Sequence, residues 1–402
     1  MAGTSFEEIL SKKGIFRDKQ VLSPHYVPNE LLYREDEIGR LMTAVAPALK
    51  GTKPRNVFVY GKSGTGKSCC TKKVLQKLGE QKNEKVKTVY MNCRNYYTRY
   101  QVLQKAISEF TPEIAKTGYA FALLYEKMLD WVEGTEDPVK GKQLILVLDE
   151  VDMVKDVDNL IYTLTRANDD LKSGNVSVIG ISNKVTFSKV LDARSKSSLC
   201  EEEMVFKPYN AEQLRGILSQ RAKHAFEEGV VSEGAMNLAA AIAARENGDA
   251  RYVLTLLLRA GELAEQKNLS HVSDKEVEQA RKLAEEDKVA ELVSSLPEHQ
   301  KIVLYSIALL HESQYRRLIE EGGEKFYFSG EVYEKYCAQM KKMGKEPVSS
   351  RWYREYLTEL EQLGLVTTIE SGKGIRGHTT LIKLVFEAPK IKRIVEKTLS
   401  GE

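Results

Sequence analysis

Cysteine is sparse and unpaired in this sequence. The five thiols, Cys69, Cys70, Cys93, Cys200 and Cys337, include no C-x-x-C pair. An odd, scattered set argues against a disulfide framework and for reduced thiols in a cytosolic protein. Long apolar runs are missing as well. No stretch approaches the length of a membrane span, and residues 1–16 lack the apolar centre of a signal peptide, so no membrane partner is expected. There is no internal repeat of solenoid period. Neither sign of charge dominates: 60 Lys and Arg against 57 Asp and Glu leave +3 at neutral pH. That balance is compatible with nucleic acid without arguing for it, so any such contact must come from local clusters. What remains is enough for ordinary cores. A 402-residue chain that is 42% hydrophobic and 29% charged predicts a soluble protein of two or three domains.

The most informative stretch is the apolar run 56–60, which breaks abruptly into Gly61, Lys62, Ser63, Gly64, Thr65, Gly66, Lys67 and Ser68. A helix-compatible segment follows from Cys69. Strand, loop and helix in this order fit the phosphate-loop pattern G-x-x-x-x-G-K-[ST] in the context that confirms it. A triphosphate needs several backbone N–H groups turned inward, and glycine permits the dihedrals that turn them. The helix start adds a positive dipole end. Lys67 can reach the β- and γ-phosphates, and the Ser68 hydroxyl can ligate Mg²⁺. ATP or ADP with Mg²⁺ is therefore the expected ligand.

Downstream, three further apolar runs read as parallel strands. Residues 86–91 lead into a segment with Arg94, Arg99 and three tyrosines, which could grip phosphate and stack on a base or simply open a helix. Residues 143–150 end in Asp149 and Glu150. Beside a phosphate loop, Asp149 would hold the Mg²⁺ shell and Glu150 would polarise the attacking water. Residues 176–183 end in Asn183, whose amide would lie near the γ-phosphate. The cations Arg194 and Lys196 then fall outside any apolar pattern and read as an exposed loop. Residues 1–20, with Lys12, Lys13, Arg17 and Lys19, read as a loosely held basic arm, with a solvated tail as the plainer reading. From 210 the pattern becomes purely helical. There Gly248 closes one helix, Asp249 caps the next, and Arg251 falls in a first turn, where a cation is unfavourable unless an anion shares the site.

The last hundred residues predict three helices and a hairpin. The helix 350–363 presents Arg351, Trp352, Arg354 and Tyr356. The hairpin 365–384 has a glycine-rich tip with Lys373 and Arg376. This is a winged helix-turn-helix pattern, with the third helix in the major groove and the tip on phosphates or the minor groove. Such modules also bind protein, and Glu355, Glu359 and Glu361 on the same helix keep that alternative open.

Taken together, the phosphate loop, the Leu148-Asp149-Glu150 strand end, Ile181-Ser182-Asn183, the stretch 192–199, Phe206 to Tyr209 leading into Gln213 and Leu214, Gly248 to Arg251 and the terminal winged helix resemble the archaeal origin-recognition-complex and cell-division-cycle-six group of AAA+ ATPases. The resemblance covers nearly the whole chain. It implies an α/β fold: an AAA+ parallel-sheet domain (21–207) after the arm (1–20), a helical lid (208–293) and a winged-helix DNA-binding domain (294–402). By the same resemblance Asn183 matches the first sensor, Arg251 the second, and Arg194 the arginine finger that acts on a neighbour's ATP. Val27, Pro28, Leu32 and Arg34, with Tyr209, match the region bordering adenine, and residues 94–118 match a DNA-touching insertion. Ala193 stands where such proteins often have proline. The implied role is an ATP-dependent replication initiator, cytoplasmic and nucleoid-associated. It would bind origin duplex DNA, hydrolyse ATP slowly, help place the replicative helicase and self-associate on DNA. A signalling or scaffold ATPase and a clamp-loader-like ATPase are the alternatives.

Overall fold

The computed structural model describes residues 14–24, 26–112, 118–135, 138–312, 319–321, 324–370 and 380–400. They form two compact units, Met1–Arg281 and Lys282–Glu402. The helix Asp274–Ser295 spans the division. Among the described residues no helix is long and apolar enough to cross a membrane.

The first unit is built on a five-stranded parallel sheet of β1 (Val57–Tyr60), β2 (Val86–Asn92), β3 (Gln143–Asp149), β4 (Asn175–Ser182) and β5 (Glu202–Val205), in the order β2-β3-β4-β1-β5. Every residue of β3 is buried, as expected of a parallel strand covered on both faces. Two apolar clusters provide those faces, one containing Leu144, Leu146 and Leu148, the other Ile145 and Val147. The register aligns Asp149 with Asn92 and Ile181, and Tyr60 with Ser182. The C-terminal ends of β1, β3 and β4 therefore share one edge. Open α/β sheets bind ligands at that edge.

The helical part of this unit comprises Ala211–Ala225, Glu233–Glu246, Ala250–Gln266 and the start of Asp274–Ser295 around its own apolar cluster. That cluster also contains Ile15, Val21 and Leu22. The expected loose arm is thus docked from residue 14 onward. Phe16 bridges Phe226 and stacks on it, while Arg17 and Lys19 pair with Glu227 and Glu265. The basic residues suggested a free tail, but they flank apolar side chains that need a core. Residues 193–199, expected as a loop, form the short helix Ala193–Leu199, capped by Asp192 on the Ser195 N–H at 2.6 Å.

The second unit pairs helices with a four-stranded antiparallel sheet, β6 (Ile319–Glu321), β7 (Glu324–Phe328), β8 (Val366–Glu370) and β9 (Thr380–Leu384), in the order β6-β7-β9-β8. Its helices are Glu298–Glu312, Ser329–Lys342, Ser350–Gln362 and Ala388–Ser400. The last was not expected, although Pro389 in its first turn and Ile391, Ile394, Val395 and Leu399 at helical spacing signal it. Ser329 begins its helix rather than capping it, and no side chain caps that end.

Candidate functional site

The phosphate loop is shaped by two left-handed glycines, Gly64 (φ +70°) and Gly66 (φ +94°). Both are also tightly enclosed. A Cβ on Gly64 would overlap the Asp249 carboxylate, and one on Gly66 would press on the Tyr209 hydroxyl. Asp249 caps its helix by accepting from the Arg251 and Tyr252 N–H groups at 2.7 and 3.1 Å. The next residue, Ala250, donates its N–H to the Gly64 carbonyl at 3.1 Å. Loop and lid are therefore joined at one point. Lys67 is only 4% exposed. Its ammonium donates to the Gly61 and Lys62 carbonyls, both at 2.7 Å. Burial pushes it down to about 8, against the pull of Asp149, and the Arg251 charge adds to the push.

A cleft of about 330 Å³ opens over this loop. Its lining brings together Gly64, Thr65, Gly66, Lys67, Ser68 and Cys69 from the loop with Asp149, Glu150, Asn183 and Arg251. These residues come from three strand ends and the lid, as expected. Asp149 accepts the Glu150 N–H at 3.0 Å on one oxygen and the Tyr90 hydroxyl on the other. Burial, with Asp149 alongside, pushes the Tyr90 phenol upward. Glu150 sits at φ +54°, a conformation costly for a non-glycine residue and common where a side chain must be aimed. Ser68 and Asp149 supply hard oxygen donors of the kind Mg²⁺ takes. Among the described residues no group of three or more His, Cys, Asp or Glu could hold a metal ion.

The same cleft is also lined by Val27, Pro28, Leu32 and Tyr209, together with Tyr26, Ile217, Arg221 and Leu254. Arg34, expected beside the base, lies behind the phosphate loop instead. It is buried and donates to the Thr65 and Lys207 carbonyls, the Tyr209 hydroxyl and Glu37, with its guanidinium 4.2 Å from the Tyr209 ring. It braces the loop rather than facing the cleft. Gly61, Lys62 and Ser63 are also outside the lining, and the Lys62 ammonium reaches Asn247 at 3.0 Å. Tyr90, Arg221 and the Asp249 contact were not foreseen. Only Asp249, as a helix cap, carried a sequence signal.

The remaining cations are dispersed. Arg194 is exposed on its short helix and does not line the cleft. Arg94, expected on DNA, points its Nε at Glu150 Oε2 from 2.6 Å, too bent for a hydrogen bond but a close ion pair. Arg99 stacks its guanidinium 4.8 Å over Phe121. In the second unit, Ser350–Gln362 buries Tyr353, Leu357 and Leu360 and exposes Arg351, Trp352 and Arg354. Glu361 accepts from the Thr368 N–H and hydroxyl, and Glu359 from Gln300. Two of the three acids that kept a protein-binding role open are thereby tied within the domain. Lys373 and Arg376 lie outside the described residues.

Family models match three consecutive parts of the chain: an AAA domain over 51–184, the Cdc6 AAA+ ATPase-type lid domain over 215–282, and the CDC6 C-terminal winged helix domain over 291–393. The chain is 40% identical over 398 residues to an ORC1-type DNA replication protein of Thermococcus onnurineus, spanning 97% of this chain and 92% of that one. It is 41% identical over 391 residues to ORC1-type DNA replication protein 1 of Sulfurisphaera tokodaii, spanning 96% and 95%. The structure of the Aeropyrum pernix ORC1 protein in complex with DNA superposes with a TM-score of 0.75 at 36% identity, covering 96% of this chain and 98% of that one. The chain belongs to the archaeal origin-recognition-complex and cell-division-cycle-six family of AAA+ replication initiators.

Proposed function

We propose that this protein binds origin duplex DNA under the control of bound ATP or ADP, and that slow hydrolysis resets it. The observation that carries this reading is the convergence of Lys67, Ser68, Asp149, Glu150, Asn183 and Arg251 on one cleft. The loop N–H groups and Lys67 would hold the phosphates, and Arg251 would read the γ-phosphate from the lid. Glu150 and Asn183 would orient the attacking water, with Glu150 taking its proton. Ser68 and Asp149 would hold Mg²⁺, which neutralises charge on the phosphate oxygens when bound. Arg194 would complete the site of a neighbouring copy, a reading supported by its exposure and its place outside its own chain's cleft lining. In the second unit, Arg351, Trp352 and Arg354 form the outward face suited to a groove, and the relative from Aeropyrum pernix was solved on DNA. Help in placing the replicative helicase and a nucleoid location follow from the family role.

The test is duplex binding across a salt series with ATP and with ADP. A steep fall in affinity with salt, preference for one origin sequence and a difference between the nucleotides are expected. Failure to bind duplex at low salt would remove the DNA-binding part. Equal affinity with either nucleotide would remove the switch.

A further inference from the structure

Glu150 and Asn183 leave the sheet from neighbouring strands, and one carboxylate joins the two turns that carry them. Glu150 opens a tight turn after β3, and the Met153 N–H closes it on the Glu150 carbonyl at 2.9 Å. Asp152 sits in the middle of that turn. Its side chain is 5% exposed and does not line the cleft. The hydroxyl of Ser182, the last residue of β4, donates to Asp152 Oδ1 at 2.8 Å. The same Ser182 oxygen accepts the Lys184 N–H at 3.0 Å. Asn183 lies between those two residues. The other carboxylate oxygen, Oδ2, is 3.4 Å from the Lys184 ammonium, on a side chain that is mostly in solvent. Ser182 is fully buried, whereas Asn183 is exposed. Burying a carboxylate is costly unless its lone pairs are met, so this is a built contact rather than a chance approach of two loops.

We infer that Asp152 is a positioning residue for ATP hydrolysis: through Ser182 it fixes the turn that aims Asn183, and through its own turn it fixes Glu150. This rests on the hydrolytic reading of the cleft and extends it to a residue outside the lining. The strand ladder cannot do this work. Pairing of β4 ends at Ile181 on one side and at Ser182 on the other, so Asn183 is already beyond it. The bond from the Lys184 N–H to Ser182 closes the backbone around Asn183, and Asp152 orients the hydroxyl that accepts it. On the other strand, Glu150 holds its left-handed conformation (φ +54°), which persists only where the surroundings enforce it. Asp152 ties that turn to β4. Directing a water at phosphorus tolerates little misplacement, whereas grip on the phosphates is shared by the loop and Lys67. Asp152 should therefore bear on the hydrolysis rate and hardly on nucleotide affinity. Its two oxygens differ in weight. The Ser182 bond is sheltered, and the Lys184 contact is open to solvent and screened.

The experiment is single-turnover ATP hydrolysis by the full chain with Mg²⁺, beside calorimetric titration with ATP and with ADP. Asp152→Ala and Ser182→Ala should each slow hydrolysis roughly tenfold to a hundredfold and leave both affinities within about twofold. Combined, they should lose no more than either alone, because they remove the same bond. Asp152→Asn keeps the acceptor for Ser182 and should bring the rate back to within about threefold of the unmodified protein. Lys184→Met should leave the rate within about twofold. Losses that add in the double variant would overturn the inference. So would equal losses of rate and affinity, which would make Asp152 a support of the fold alone. Should Asp152→Ala not fold, Ser182→Ala, which removes a single hydroxyl, decides: a full rate overturns the inference. Glu150→Gln separates the two levels. A slow Glu150→Gln beside a full-rate Ser182→Ala would sink this inference only, whereas a full-rate Glu150→Gln would sink the hydrolytic reading and the inference with it.

Discussion

The cleft of the first unit and the outward helix of the second use charge in opposite ways. In the cleft, Lys67 and Asp149 are 4% and 7% exposed, and each is held by neighbours that compensate for lost water. Lys67 leans on two carbonyls, and Asp149 on the Tyr90 hydroxyl and a backbone N–H. On Ser350–Gln362, Arg351 and Arg354 stand in solvent. Buried charges are expensive unless paired, so the first set should respond to substitution in an all-or-none manner. Exposed charges are screened and act nearly independently, so the second set should respond in graded, salt-dependent steps.

The largest expected effect tests the first half of this contrast. Lys67→Ala should lower ATP and ADP affinity at least a hundredfold, read as nucleotide content of the purified protein; retained ADP would contradict the assignment. Removing Arg351 and Arg354 together should weaken duplex binding about tenfold at moderate salt and make the salt dependence shallower by roughly two phosphate contacts. An unchanged slope would remove this face from the interface. Arg94 decides where the boundary between the two behaviours lies. If its pairing with Glu150 defines its role, Arg94→Ala should raise basal ATP turnover about threefold by freeing the base and leave DNA affinity alone. The reverse pattern would return it to the DNA. Tyr90→Phe should raise the Mg²⁺ concentration needed for half-maximal nucleotide affinity by a few-fold and leave affinity in EDTA unaltered; equal losses in both would mean a general packing defect.

The smallest effect concerns protons. Lys67 is lowered from 10.5 to about 8 in the fold, so between those values the unfolded chain binds more protons than the native one. The penalty for keeping the ammonium charged is fully present below about 8 and fades as pH rises toward 10.5. Nucleotide phosphate would draw the proton back. Binding near pH 8 to 9 should take up a fraction of a proton and weaken as pH rises further. Titration in buffers of different ionisation enthalpy measures it, and zero uptake would show that Lys67 does not face the phosphates.

Much of the cleft was legible because its residues sit at places where pattern and geometry coincide. A strand that ends in a polar residue must deliver it to the sheet edge, which is where Asp149, Glu150 and Asn183 are expected from the sequence and where they lie. The glycines of the loop announced their own conformation. Arg34 was misplaced because periodicity locates a side chain along the chain but not on which side of a loop it falls. Arg221 lies on a helix whose pattern explains only its apolar neighbours, and nothing in a linear reading says that one cation on it turns inward. The docked segment from residue 14 was hidden by Arg17 and Lys19, whose salt bridges depend on partners more than two hundred residues away.

One carboxylate has an implication for how this sequence can drift. Asp249 fills the volume that any side chain on residue 64 would need, while its oxygen holds the first turn of Ala250–Gln266. A larger residue at 64 must evict it, and a shorter one at 249 that makes room also strips the turn of its anchor. Residue 64 also sits at φ +70°, so clearing space at 249 does not make a side chain there comfortable; glycine at 64 is held by two separate constraints, and relatives should keep it even where 249 differs.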